Sequence, residues 1–294
     1  MQIGLVTYTP ERVKGFDLHV YYAKWADGSV FPAAEGMQND VTCFCDAKAI
    51  RENPSIVATS SIGLALRRNR RAALAFDFVC PTNDSYRERI LNYIEELSGS
   101  KVQGITLNLY HFPEEEFCVC PRCVELWRRS GLNWVEWRAQ TVTNFLKEAR
   151  KRVKGEFAVE IWPDPILAKQ RFGLNFDQIA DIVDYFHVPL SARDYATMYW
   201  VDTLARDFAA MLKKPVVVEL SAEMLTEEKI DALLKTMAYL SLRDLKGILL
   251  LVHNAENAVR VCKYAVADSG LKNWLKDHNF TEMSQIIENW ATLY

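Results

Sequence analysis

The chain has 294 residues, half of them hydrophobic and a quarter charged, enough to bury one large core. Its net charge of −3 gives no electrostatic reason to expect nucleic acid as a partner. No stretch reaches the ~18 apolar residues of a membrane span, and MQIGLVTYTPERVKG lacks the basic leader of a signal peptide, so a cytoplasmic protein without membrane contact is expected.

Short apolar runs alternate with longer amphipathic ones. The expected strands are DLHVYYAKW (17–25), PSIVATS (54–60), ALAFDFVC (73–80), GITLNLY (104–110), FAVEIW (157–162), DYFHVPL (184–190), VVVEL (216–220) and GILLLVH (247–253). MQIGLVTY (1–8) competes for the role of first strand. The basic run RRNRR at 67–71 reads as a solvated loop, and no helix is evident between 61 and 73. Helical spacing follows in 85–97, 134–153, 176–185, 203–214 and 226–240, with Asn83 and Thr226 at N-cap positions. Strands separated by helices imply parallel pairing through crossovers. Eight such units predict an α/β fold, a (β/α)8 TIM barrel whose first three units are irregular, as a single domain over 1–294 with C-terminal helices. An open doubly wound sheet is the alternative, without a G-x-G-x-x-G fingerprint to support it.

Side chains of a barrel strand alternate between the interior and the helix layer. With Ile105, Leu107 and Leu109 on the helix side, Thr106, Asn108 and Tyr110 point inward. The same alternation puts Asp77, Glu160, His187, Glu219 and His253 inward near the C-terminal ends of their strands, where barrel active sites are built. Aromatics gather at the same end: Trp25, Tyr110, Phe112, Trp162, Tyr195, Tyr199 and Trp200. Their faces suit sugar rings and their polar edges suit hydroxyls.

The segment FCVCPRC (117–123) crowds three thiols into six positions, in a chain with seven cysteines. An odd number argues against a disulfide framework. Thiolates at C-x-C-x2-C spacing converge on one tetrahedral metal, and a zinc held by cysteines alone is closed and structural. The expected ligands are Cys118, Cys120 and Cys123, with Pro121 starting a tight turn between them. Cys80, ending the strand taken as the neighbour of GITLNLY, is the first choice for the fourth; Cys43 or Cys45 is the alternative.

An upstream cysteine followed by C-x-C-x2-C after the fourth strand resembles the zinc cluster of glycoside hydrolase family 42 β-galactosidases. GITLNLYHFP, then CVCPRC, then a Trp-containing helix also resembles a broader group of glycosidase-like barrels, as do HVYYAKWADG and FDFVCPTNDSYRERI. The resemblance implies catalytic glutamates ending strands four and seven. Glu219 stands on strand seven; on strand four the family's Asn-Glu pair reads Asn108-Leu109 here. The broader group would place Asp and Arg where this chain has Asn108 and His111.

Two readings follow. In the first, a glycoside hydrolase-like barrel acts on a carbohydrate: Glu219 is nucleophile or base, and Glu160, desolvated beside Trp162, is the acid, with Asp164 in reserve. Asp77, Asn108, His111, Trp162, His187, Tyr195 and His253 are its expected substrate contacts. In the second, the barrel binds a carbohydrate or another polar small molecule without turning it over. Metal-dependent hydrolysis at His187, His253 and Asp77 is a third possibility, lacking H-x-H or H-E-x-x-H spacing. Neither the sugar nor the oligomeric state is legible.

Overall fold

The computed structural model of the chain describes residues 1–69, 75–190, 198–223 and 226–294. Eight strands form the barrel: β1 (Gln2–Thr7), β2 (Leu18–Lys24), β3 (Gln38–Thr42), β4 (Gly104–Asn108), β5 (Glu156–Glu160), β6 (Tyr185–Pro189), β7 (Val216–Ser221) and β8 (Gly247–Leu251). They close as a parallel barrel in the order β1-β8-β7-β6-β5-β4-β3-β2, and with the helices between them the chain is an α/β barrel. Among the described residues no helix is long and apolar enough to cross a membrane.

By packing the chain divides into two compact units, residues 1–21 with 185–294, and residues 22–184. The first holds β1, β6 to β8 and helices α7 (Met198–Met211), α8 (Glu227–Leu240), α9 (Ala255–Ala267), α10 (Ser269–Asp277) and α11 (Thr281–Ala291). The second holds β3 to β5 with α1 (Ala47–Glu52), α2 (Asp84–Gly99), α3 (Pro121–Ser130), α4 (Trp134–Arg152), α5 (Ala168–Phe172) and α6 (Phe176–Ala180). Asn83 caps α2 by accepting from the Tyr86 amide, and Thr226 caps α8 by accepting from Lys229. The expected helix over 176–185 stops at Ala180, because Tyr185 already begins β6 and the Asp184 carboxylate accepts from the Phe157 amide at 2.8 Å.

The irregular start departs from the expected strand list. MQIGLVTY supplies the first strand, pairing with both β8 and β2. PSIVATS is not a barrel strand: it forms a 3-10 turn at Pro54–Ile56, then one arm of a two-residue hairpin, Thr59–Ser60 with Gly63–Leu64. In ALAFDFVC, residues 73 and 74 lie outside the described residues. The remainder makes only isolated bridges, Phe78 to Cys45 and Val79 to Val57. The third barrel strand is instead QNDVT, fully buried yet mostly polar. Its Asn39 is satisfied locally, accepting from the Ala34 amide and donating to the Ala34 and Met37 carbonyls at 2.9–3.0 Å. Hydrogen bonding at Asn39 offsets part of the cost of burying this polar strand.

In the first unit β1 passes close to its neighbours at Gly4. A Cβ there would meet the Leu18 carbonyl oxygen and Leu249 Cδ2, each at 2.5 Å. Gly4→Ala should therefore lower unfolding free energy by about 2 kcal/mol in urea denaturation. A change within about 0.5 kcal/mol would show that the strands can part there.

Candidate functional site

In the second unit, β4 pairs with β3 and β5 so that Asp40, Thr106 and Ala158 lie at one level and Thr42 and Asn108 one step higher. The Arg150 guanidinium of α4 lies 5.9 Å from the Phe157 ring centroid, so Phe157 faces the helix layer and Ala158 and Glu160 face the other way. On that face Asn108 Nδ2 donates to Asp40 Oδ1. Asp40 is completely buried. It was not visible from sequence because its strand was not.

Strand alternation ends at Leu109, whose φ of 46° is left-handed. For a leucine this conformation costs about 1–2 kcal/mol. Tyr110 and His111 follow it and are both completely buried. Burial raises the Tyr110 phenol pKa, and the charges of Cys43 and Glu160 push the same way. His111 Nδ1 donates to the Phe112 carbonyl at 2.7 Å, which leaves Nε2 as the bare acceptor of a neutral ring. Burial lowers the His111 pKa to about 4, the Arg138 charge acting in the same direction and the Phe112 bond opposing. Around it stand Phe172, Tyr110, Trp162 and Phe78, with ring centroids 5.1–6.3 Å away. Trp162 and Glu160 are half-buried.

Two arginines fix the loops that follow β4 and β5. Arg138, completely buried on α4, donates to the carbonyls of Gln170, Glu114 and Arg171 at 2.6–2.7 Å and lies 4.7 Å from the Phe112 ring centroid. Arg171 grips both carboxylate oxygens of Glu114 at 2.7–2.9 Å and Asp164 at 2.7 Å. Asp164 also accepts from the amides of Ile166 and Leu167. It is thus a loop-forming carboxylate, which removes it as reserve acid.

In the first unit Glu219 is 2% exposed and His187 1%. His187 pairs in register with Val217, and Pro189 with Glu219, so the imidazole starts one inward step below the carboxylate. His187 Nε2 reaches Glu219 Oε2 at 3.0 Å. The carboxylate is thereby buried against an imidazole, a polar partner in place of water. His253 falls two residues beyond β8, is exposed, and has its ring 5.9 Å from that of Tyr8. Asp77 is off the barrel, because its segment forms no barrel strand. It accepts from the Arg67 amide at 2.7 Å and lines a cavity of about 730 Å³ with Arg51, Leu66 and Arg67. Tyr195 lies outside the described residues.

Cys80, Cys118, Cys120 and Cys123 bring their sulfurs within 4.8 Å of one another. Cys80 Sγ is 3.4 Å from Cys123 Sγ and 3.8 Å from Cys120 Sγ. A tetrahedron with metal–sulfur bonds of ~2.3 Å has edges of ~3.8 Å, so the four thiols fit a metal ion. The Thr59 amide donates to Cys118 Sγ at 3.2 Å, and Thr82 Oγ1 lies 3.2 Å from both Cys80 and Cys123. Hydrogen bonds from Cys118, Cys123 and Cys80 hold the Cys120 thiol far below its ordinary pKa. Pro121 does not start a tight turn. It opens helix α3, where its missing N–H costs nothing, and the first helical turn brings Cys123 back toward Cys120. Cys80 reaches the cluster along a segment tied to the 3-10 turn, its amide donating to the Ile56 carbonyl at 2.7 Å, and not along a barrel strand. Cys43 and Cys45 are buried elsewhere, their thiol pKa values raised by burial and lowered in part by Lys24.

No family model and no curated protein matches the chain. Among solved structures, α-L-fucosidase isoenzyme 2 from Paenibacillus thiaminolyticus is 13% identical over 99% of this chain and 49% of that chain, with a TM-score of 0.58. A variant of the glycoside hydrolase domain of PelA from Pseudomonas aeruginosa is 12% identical over 87% of this chain and 96% of that chain, with a TM-score of 0.51. At these identities the likeness is one of fold: the chain is a barrel of the kind found in those glycoside-cleaving proteins.

Arg138 generates the prediction here. Arg138→Lys keeps the charge but cannot reach three carbonyls with one ammonium, so unfolding free energy should fall by about 2–3 kcal/mol. Arg129→Lys, on the exposed face of α3, is the control and should change nothing measurable.

Proposed function

We propose that this barrel acts on a carbohydrate and cleaves a glycosidic bond. The observation that supports it most is the buried Glu219 carboxylate held by His187 near the C-terminal end of β7. The barrels it resembles in fold include one named as a fucosidase and one as a glycoside hydrolase domain. Glu219 serves as nucleophile or as the base that activates water, and His187 Nε2 orients its carboxylate. Glu160, ending β5 and half-buried, donates the proton to the leaving oxygen. Asn108, His111 and Trp162 contact the sugar. Leu109, standing where the resembled family has its acid, favours a second reading, a barrel that binds sugar without cleaving it.

The four cysteines hold zinc in this reading. With every ligand a thiolate, the ion has no open position; it ties the loop 117–123 to residues 59 and 80–82 and takes no chemical step.

Glu219→Gln should reduce turnover at least ~10³-fold while sugar affinity stays within about twofold. Glu160→Gln should slow alkyl glycosides far more than nitrophenyl glycosides, whose leaving groups need little protonation. Wild-type rates in Glu219→Gln would sink the hydrolase reading. Weakened sugar binding in that variant, with no substrate ever cleaved, would favour the binding reading. Elemental analysis should find about one zinc per chain, and Cys120→Ser should lower Tm by at least about 5 °C. Cys262→Ser, in α9, should lower it far less; equal Tm values would contradict a metal site that contributes to folding.

A further inference from the structure

The second unit carries a set of buried polar atoms whose chemistry runs one way. Asn108 commits its Nδ2 to Asp40, so the unpartnered Oδ1 is an acceptor. His111 commits Nδ1–H to the Phe112 carbonyl, so the unpartnered Nε2 is an acceptor. Thr106 Oγ1 and the Tyr110 hydroxyl are also unpartnered and can act either way. All four residues are at least 96% buried, Asn108 being the most exposed at 4%. Thr106 and Asn108 share one face of β4, and Tyr110 and His111 follow the left-handed turn at Leu109. Buried polar atoms left in this state are rare, and each calls for a partner that supplies the missing bond.

The charges in the same unit run the same way. Asp40 adds a completely buried carboxylate beside Asn108, and the charge of Glu160 is felt at the Tyr110 phenol. The neighbouring cations are committed. Lys24 Nζ lies 3.4 Å from Asp46 and donates to the Cys45 carbonyl; Arg138 serves three carbonyls; Arg171 serves Glu114 and Asp164. A ligand that completes this face must bring hydrogen-bond donors, and a carboxylate on it would meet acceptors and like charge.

We infer that the face formed by Asn108, Tyr110, His111 and Glu160 selects donor-rich sugars, neutral or carrying an amine, and excludes sugar acids. The inference builds on the carbohydrate reading and adds the charge class of the sugar and Tyr110 as a further contact. The half-buried Trp162, its ring perpendicular to His111 with centroids 6.0 Å apart, is the aromatic side chain beside this face that is not fully buried.

The test is calorimetric titration at pH 7 and constant ionic strength with three forms of each of three sugars. Methyl glycosides, 2-amino sugars and uronates of the gluco, galacto and manno series are the probes. The best neutral or amino form should bind at least about ten-fold tighter than the uronate of the same series, because like-charge juxtaposition is strongly disfavoured. A uronate that binds as tightly overturns this inference and leaves the carbohydrate reading standing. If none of the nine binds, both fall. Tyr110→Phe separates a ligand contact from a structural one. It should weaken the best sugar about three- to ten-fold and leave Tm unchanged or higher, since it removes a hydroxyl that has no protein partner. A lower Tm with unchanged affinity would assign Tyr110 to the fold and overturn its role here.

Discussion

Burying a carboxylate to 2% exposure costs its hydration unless polar groups meet it, and His187 Nε2 lies 3.0 Å from Glu219 Oε2. Placing the two groups so closely requires β6 and β7 to be parallel neighbours in one register, which the ladder from His187–Val217 to Pro189–Glu219 provides. The flanking Val216, Val218 and Leu220 are buried and apolar, so the strand has its core on one face and its chemistry on the other. Strand alternation, and not a loop, sets the carboxylate's position, and strands hold geometry more tightly than loops do.

In the second unit the corresponding problem is solved by loops that have been made rigid. Arg138 spends its guanidinium on backbone carbonyls, Arg171 locks Glu114 to Asp164, and four cysteines draw together two segments distant in sequence. Removing one partner from such a network leaves buried groups unmatched, which is more damaging than the modest net value of each bond suggests. These devices act on the segments that follow β4 and β5, which also carry Tyr110, His111 and Trp162 and where alternation no longer dictates direction. The left-handed turn at Leu109 lies at that transition.

Much of this was legible in the sequence where apolar and polar residues alternate. GITLN, EFAVE, YFHVP and VVVEL are strands with Asn108, Glu160, His187 and Glu219 near their ends, and Asn83 and Thr226 are caps. The second and third strands were not legible in the same way. ALAFDFVC has strand composition but packs as an irregular segment, which takes Asp77 out of the barrel. QNDVT looks like a loop and is a buried strand, because Asn39 hydrogen-bonds to Ala34 and Met37 and Asp40 to Asn108. Missing that strand hid Asp40. Cys80, the first choice from sequence ahead of Cys43 or Cys45, is the fourth cysteine of the cluster, but it arrives on a loop tied to Ile56 and not at the end of a strand beside β4. Arg138 had no sequence signal, since an arginine in an amphipathic helix is ordinarily solvated.

The most direct measurement is a crystal structure with a bound sugar of the tightest-binding form. The account predicts density for the sugar within hydrogen-bond distance of Glu160 and Asn108. Density confined to the cavity beside Arg51 and Asp77, with the strand-end face unchanged, would contradict it.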